Sequence, residues 1–199
     1  MKKVLIAYTS NAGSTEDVAR VIAEEAGKDG TLTTVSRLEE IRSVEGYDAV
    51  IVGAPMILGW HRSARKFIHQ YRQELSRIPV AYFCTAMSLT SRSVHGEGLP
   101  PMYLDPSLAK SPKREGHLDF EESYTLADNY LKPILKAAPE VKPVSVGFFG
   151  GKLELFKLKL LQMLFVMVII GAQPGDLRNW PAIREWSSGL RESLQLTVE

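Results

Sequence analysis

The feature that most constrains this chain is its opening, MKKVLIAYTSNAGSTEDVAR. An apolar run over residues 4–8 is followed by Thr9, Ser10, Asn11, Ala12, Gly13, Ser14 and Thr15, all small and uncharged, and a helical pattern begins at once. A strand, a short hydroxyl-bearing loop and a helix in direct succession form the unit of a parallel α/β sheet. The same unit makes an anion cradle, because loop amides and the helix N-terminus converge on one place. The hydroxyls of Thr9, Ser10, Ser14 and Thr15 supply further donors. The plainer alternative is a loop that only caps the helix, with Ser14 or Thr15 as N-cap.

The rest of the chain keeps the alternating rhythm. Strands are expected over residues 31–35, 49–53, 80–84 and 144–149. The second of these, Ala49-Val50-Ile51-Val52-Gly53, is an unbroken apolar run, as in a strand covered on both faces. Helices are expected over residues 14–26 and 63–75, over 121–138 with a kink or restart near Pro133, and from about Pro181 onward. The expected architecture is a doubly wound α/β domain. It has a five-stranded parallel sheet in the order 2-1-3-4-5 with helices on both faces. Right-handed crossovers then bring the loops after the first, third and fourth strands to one edge, where such sheets take their ligands. One domain covers residues 1–199. Residues 86–121, rich in Gly and Pro, read as an insertion, and residues 152–171 as an extra apolar helix.

The commoner phosphate loops do not fit. A Walker loop needs a Lys before its Ser or Thr, and this loop has none. A dinucleotide loop needs three spaced glycines and an acid after the second strand, whereas here there is one Gly and residues 31–35 run into Ser36-Arg37. What remains is a site for one phosphate, carried by a mononucleotide-like ligand.

At this point the segment Tyr8-Thr9-Ser10-Asn11-Ala12-Gly13-Ser14-Thr15-Glu16 resembles the FMN phosphate loop of the flavodoxins, with Tyr8, Ser10, Gly13 and Thr15 on the family pattern. The resemblance implies FMN, held noncovalently, as cofactor. It also implies two ring-binding loops. The loop after the third strand, Pro55-Met56-Ile57-Leu58-Gly59-Trp60, would wall the ring, with Trp60 as a stacking face and Leu58-Gly59 as the peptide nearest the ring nitrogen. Core packing is the alternative for Trp60. The loop after the fourth strand, Thr85-Ala86-Met87-Ser88, would line the pyrimidine edge. It lacks the aromatic that many electron-carrier flavodoxins place there, which leans toward an enzyme.

A narrower resemblance is to menaquinone-dependent protoporphyrinogen oxidases and their flavodoxin-domain relatives. It is carried by Gly53-Ala54 through Gly59 and Ser63, by Phe148-Phe149-Gly150-Gly151-Lys152-Leu153, by the apolar segment after it, and by Gly175-Asp176 leading to Arg178-Asn179-Trp180. Leu58 stands where those oxidases show an aromatic, and residues 86–121 do not match. The expected function is an FMN-dependent oxidoreductase, protoporphyrinogen oxidase-like, with a small-molecule redox substrate and a quinone as acceptor. A flavodoxin-type electron carrier docking on a redox partner protein stays open, as does an interaction domain with an empty loop.

Lys+Arg number 24 against 23 Asp+Glu, so no bulk field directs the chain to nucleic acid. The one cysteine, Cys84, lies in an apolar run and suits a reducing compartment. His61, His69, His95 and His117 make no metal-ligand spacing, so no metal is expected. His61 lies in the ring loop, where it is either an acid or base or an exposed helix-start residue. Arg62, Arg65 and Lys66 form a basic cluster beside the same loop. The uncharged stretch 160–172 falls short of the ~20 residues a bilayer crossing needs. Residues 153–170 are expected to be buried, to close a homodimer, or to lie on a membrane surface. No signal peptide is read at the start, so the expected location is cytoplasmic, with contact at the inner membrane face as the alternative.

Overall fold

A computed structural model describes residues 1–56, 59–91, 99–114, 117–153 and 175–196. Strand β1 (Lys3–Tyr8) buries Val4, Leu5, Ile6 and Ala7 on both faces. Helix α1 (Ser14–Ala26) turns Val18, Ala19, Ile22 and Ala26 onto the sheet, the spacing that one helical face requires. Next come β2 (Leu32–Arg37), β3 (Ala49–Pro55), α2 (Arg62–Gln70), α3 (Arg72–Leu75) and β4 (Val80–Ala86). Every residue of β3 and β4 is buried, whereas β2 alternates half-exposed and exposed positions, as an edge strand does. After β4 lie β5 (Leu89–Thr90), β6 (Met102–Leu104), β7 (Ala109–Lys110), α4 (Phe120–Tyr124), α5 (Ala127–Ala137) and β8 (Ser145–Gly150). The chain closes with β9 (Lys152–Leu153), β10 (Gly175–Asp176) and α6 (Trp180–Ser193).

The main sheet runs β2-β1-β3-β4-β8-β6, and every pairing in it is parallel. Its register sets Val4 beside Ala49, Val50 beside Val80, and Tyr82 beside Val146. Taking β8 as the fifth strand, this is the expected doubly wound 2-1-3-4-5 core. Helices α1 and α6 cover one face over Ile6, Ile51, Phe83, Phe149, Ile183 and Trp186. Helices α2 and α5 cover the other over Leu5, Val52, Tyr82, Phe148, Phe67 and Ile134.

Three expectations are corrected. The sheet has a sixth strand, β6, at its edge, inside the stretch read as an insertion. Its three half-buried residues lie between prolines and are too short to show a period-two pattern. Tyr103 ties this strand to the core, its hydroxyl donating to Glu185 Oε2 of α6 at 2.8 Å and its ring 6.0 Å from that of Phe149. Second, the helix expected over 121–138 breaks at Thr125-Leu126, and Pro133 sits inside α5 without ending it. The break lies where the Thr90 amide donates to the Thr125 carbonyl and the two threonine hydroxyls pair at 2.8 Å. Asp119 and Glu122 start α4 reciprocally, each carboxylate accepting the other's backbone N–H. Third, Lys152 and Leu153 open the expected apolar helix as a strand, β9, paired antiparallel with β10. The remainder of that segment, 154–174, lies outside the described residues. Among the described residues no helix is long and apolar enough to cross a membrane.

Candidate functional site

The loops after β1, β3, β4 and β8 meet at the carboxyl edge of the sheet. The first is held by its backbone: Thr9 N–H donates to the Gly53 carbonyl at 3.0 Å, and Gly13 N–H donates to Ser10 Oγ at 2.9 Å. Gly13 is the N-cap of α1 at φ +93°, a left-handed conformation that favours glycine. No side chain caps the helix, so Ser14 and Thr15 do not act as N-cap residues. The first intrahelical bond is Asp17 N–H to the Gly13 carbonyl at 3.1 Å. Among the described residues, no protein acceptor takes the amides of Ser14, Thr15 and Glu16, the first turn of α1.

Charge around the loop is balanced outside it. Glu16 pairs with Arg20 at 2.8 Å and lies 3.8 Å from Arg37, whose guanidinium stacks over the Tyr8 ring at 5.8 Å. The Arg20 hydrogen bond, with help from Tyr8, holds the Glu16 carboxyl below its ordinary value. Burial pushes the Tyr8 phenol up, and Glu16 adds to the shift. The Glu16 carboxylate thus stays charged and faces two cations, while the Glu39 carboxylate accepts from the Thr9 hydroxyl at 3.5 Å.

Asn11, Ala12 and Ser14 form one wall of a cleft of about 60 Å³. Pro55 and Met56 at the end of β3 and Thr85, Ala86 and Met87 at the end of β4 form the next two. Gly151, Lys152 and Leu153 complete it. Met56 N–H donates to the Thr85 carbonyl and Gly151 N–H to the Ala86 carbonyl, both at 2.8 Å, so the walls are joined through their backbones. The hydroxyls of Thr15 and Thr85 pair at 2.9 Å, with both residues buried. A Cβ on Gly151 would come within 3.6 Å of Thr85, Ala86 and Met87, filling the space this glycine leaves. One on Gly150 would strike the Leu177 carbonyl at 1.9 Å, which fixes the turn there to glycine.

Not every expected ring contact lies in this cleft. Trp60 is 3% exposed and packs edge-on to Tyr82 at 5.9 Å. Its bridge to Met56 turns the indole into the core instead of across an open ring face. Gly59, at φ +88°, makes the turn before it, while Ile57 and Leu58 lie outside the described residues. His61 caps α2, its Nδ1 accepting from the Ser63 amide at 3.3 Å. The carbonyl of Ser88 accepts the Tyr130 hydroxyl at 3.5 Å, beside the cleft. Burial raises the Cys84 thiol well above its ordinary value, as for a small core hydrophobe.

Three site features were missed from sequence. Gly151 and Leu153 stand in the sequence only within a resemblance, and the Gly150-Gly151 pair at the end of β8 is the available signal. The Thr15–Thr85 bond joins residues 70 apart and has no local signal. Asp105, just past β6, is wholly buried and accepts from Ser107 N–H at 2.9 Å, Asn179 Nδ2 at 2.9 Å and Gly150 N–H at 3.4 Å. It ties the edge strand to the Gly150-Gly151 turn.

The residues suit FMN on two counts of the structure itself: the first turn of α1, with no side-chain cap, offers amides to a phosphate, and Gly151 leaves space against the Thr85-Ala86-Met87 wall of the cleft. Residues 5–176 match the family model for the flavodoxin domain. Over 85 residues the chain is 31% identical to protoporphyrinogen IX dehydrogenase (quinone) of Escherichia coli K12. That alignment covers 41% of this chain and 46% of the relative, so the chain spans about half the length of the curated relative it matches. The two-electron reduced flavodoxin of Megasphaera elsdenii superposes with a TM-score of 0.45 at 15% identity, over 73% of this chain and 84% of that one. A flavodoxin of Fusobacterium nucleatum, solved bound to flavin mononucleotide, superposes with a TM-score of 0.30 at 15% identity, over 43% and 53%. With the family model spanning most of its length and the parallel sheet in the expected order, the chain belongs to the flavodoxin domain family.

Proposed function

We propose that this chain is an FMN-dependent oxidoreductase that takes reducing equivalents from a porphyrinogen-like substrate and delivers them to a quinone. The observation that carries the cofactor assignment is the first turn of α1, capped by the Gly13 backbone, with no acceptor among the described residues for the amides of Ser14, Thr15 and Glu16. The reaction assignment rests on the name of the E. coli relative and on the absence of an aromatic residue from Thr85-Ala86-Met87-Ser88.

The chemistry FMN supplies when bound is two-electron exchange with organic substrates. The chain's own residues do the holding. Ser14, Thr15 and Glu16 amides bind the phosphate, and Ser10 braces the loop through Gly13. The Thr15–Thr85 bond couples that loop to the wall of the ring cleft. Pro55, Met56, Ala86 and Met87 give the ring apolar walls, and Lys152 places a cation on the lining. Thr9, Asn11 and Ala12 complete the phosphate loop, and Ser88 ends the pyrimidine wall. Ile57, Leu58 and Gly59 are proposed as the rest of the ring-binding loop after β3.

The test is anaerobic. The FMN-loaded protein is mixed with protoporphyrinogen, the flavin absorbance is followed, and a soluble quinone analogue is then added. Bleaching by the substrate and recovery with the quinone are expected. Failure of both, with reduction instead in two separated one-electron waves by a protein donor, would replace the enzyme by an electron carrier.

A further inference from the structure

At the opposite end of the sheet from the phosphate loop lies a groove of about 420 Å³. Leu99 ahead of β6, Leu135 on α5, and Val141 and Pro143 ahead of β8 give it an apolar floor. Val141 and Pro143 are buried, and Leu99 and Leu135 are half-buried. Three exposed lysines, Lys132, Lys136 and Lys142, stand on its rim. Lys132 and Lys136 are one helical turn apart on α5 and share a face with Leu135, so two like charges repel across the mouth.

Among the described residues no acid answers these charges. Lys132 donates to the neutral Asn129 Oδ1 at 3.2 Å. Glu140, the acid nearest in sequence to Lys142, is held by Arg72 at 3.1 Å. The carbonyls at the end of α5 do not attract an anion, so any anion specificity of the groove comes from the lysines. A concave apolar floor with a few charges of one sign at its mouth is how small-ligand sites are built.

We propose that this groove binds a single-chain anionic amphiphile, with the alkyl chain on Leu99, Leu135, Val141 and Pro143 and the acidic head among Lys132, Lys136 and Lys142. The site lies away from the FMN cleft and is independent of the reading of that cleft. Concavity favours one free chain over a bilayer, whose flat surface meets the rim but not the floor.

Dodecanoate, below its micellar concentration, is titrated calorimetrically into the full chain. Saturable one-to-one binding is expected, weakening with added salt. Replacing all three lysines (K132A, K136A and K142A together) is expected to weaken it about tenfold, with dodecanol showing the same weak affinity for both proteins. Because the three side chains are exposed, the variant keeps its thermal midpoint and its FMN affinity. The proposal is overturned by no saturable binding, which includes the case where another part of the chain fills the groove. It is equally overturned by binding indifferent to the lysines, or by dodecanoate displacing FMN. Attachment only to phosphatidylglycerol vesicles, without binding of the monomer, would assign the lysines to a membrane surface instead.

Discussion

The phosphate loop and the ring cleft are neighbours built on different principles. The loop is a backbone device: Gly13 sets the left-handed cap, Ser10 braces it, and among the described residues three amides of α1 have no protein acceptor. The cleft is a side-chain device, walled by Pro55, Met56 and Met87, and it holds about 60 Å³. An anion meets a prepared surface at the first, whereas a flat ring must push aside unbranched methionine side chains at the second. On the proposed reading the phosphate is recognised first and the ring binds by adjustment of the walls.

The largest effect that separates the two is loss of the phosphate. Hydrogen bonds to a charged group are worth about 1.5–3 kcal/mol each, so riboflavin is expected to bind at least ~100-fold more weakly than FMN. Fluorescence titration of the apoprotein measures both. Next is Gly13→Val. A left-handed backbone costs an L-residue about 1–2 kcal/mol, more when β-branched, and FMN affinity is expected to fall by about tenfold while riboflavin affinity changes little. A variant that loses both equally would show that the two regions are one. Thr15 is a poorer handle than Gly13, since it is wholly buried and bulk there would disturb the core.

Smaller still is the joint between the regions. Thr85→Val leaves the Thr15 hydroxyl buried without its partner and is expected to lower stability by about 1–2 kcal/mol. The double replacement T15V/T85V should recover most of it, which a double-mutant cycle in denaturant checks. The smallest effect is pH dependence at the outer side of the loop. The Glu16 carboxyl is held below its ordinary value of 4.5 by Arg20, so its contribution is present above that pH. It is lost as pH falls through the lower folded value. Acid-unfolding curves should show a slightly shallower loss for Glu16→Gln than for the parent.

What the sequence disclosed follows the same division. The loop was legible because glycine, small hydroxyl residues and a helix start are local, and backbone geometry follows from local residues. The order of β1 to β4 and β8 was legible because buried parallel strands are apolar without interruption, as Ala49 to Val52 are. The ring cleft was legible only in part. Trp60 reads as a stacking face by position, yet its bridge to Met56 turns it onto Tyr82. Asp105, the Thr15–Thr85 bond and β6 depend on partners distant in the chain, which no local pattern announces. The break at Thr125 likewise arises from pairing with Thr90, whereas the sequence cue pointed at Pro133.

The most direct measurement is the amide spectrum of the ¹⁵N-labelled protein with and without FMN. The Ser14, Thr15 and Glu16 N–H signals are predicted to move strongly downfield on adding FMN and to stay near their free positions with riboflavin. Bound flavin with those three signals unmoved would contradict the amide cradle, and with it the account of how this chain holds its cofactor.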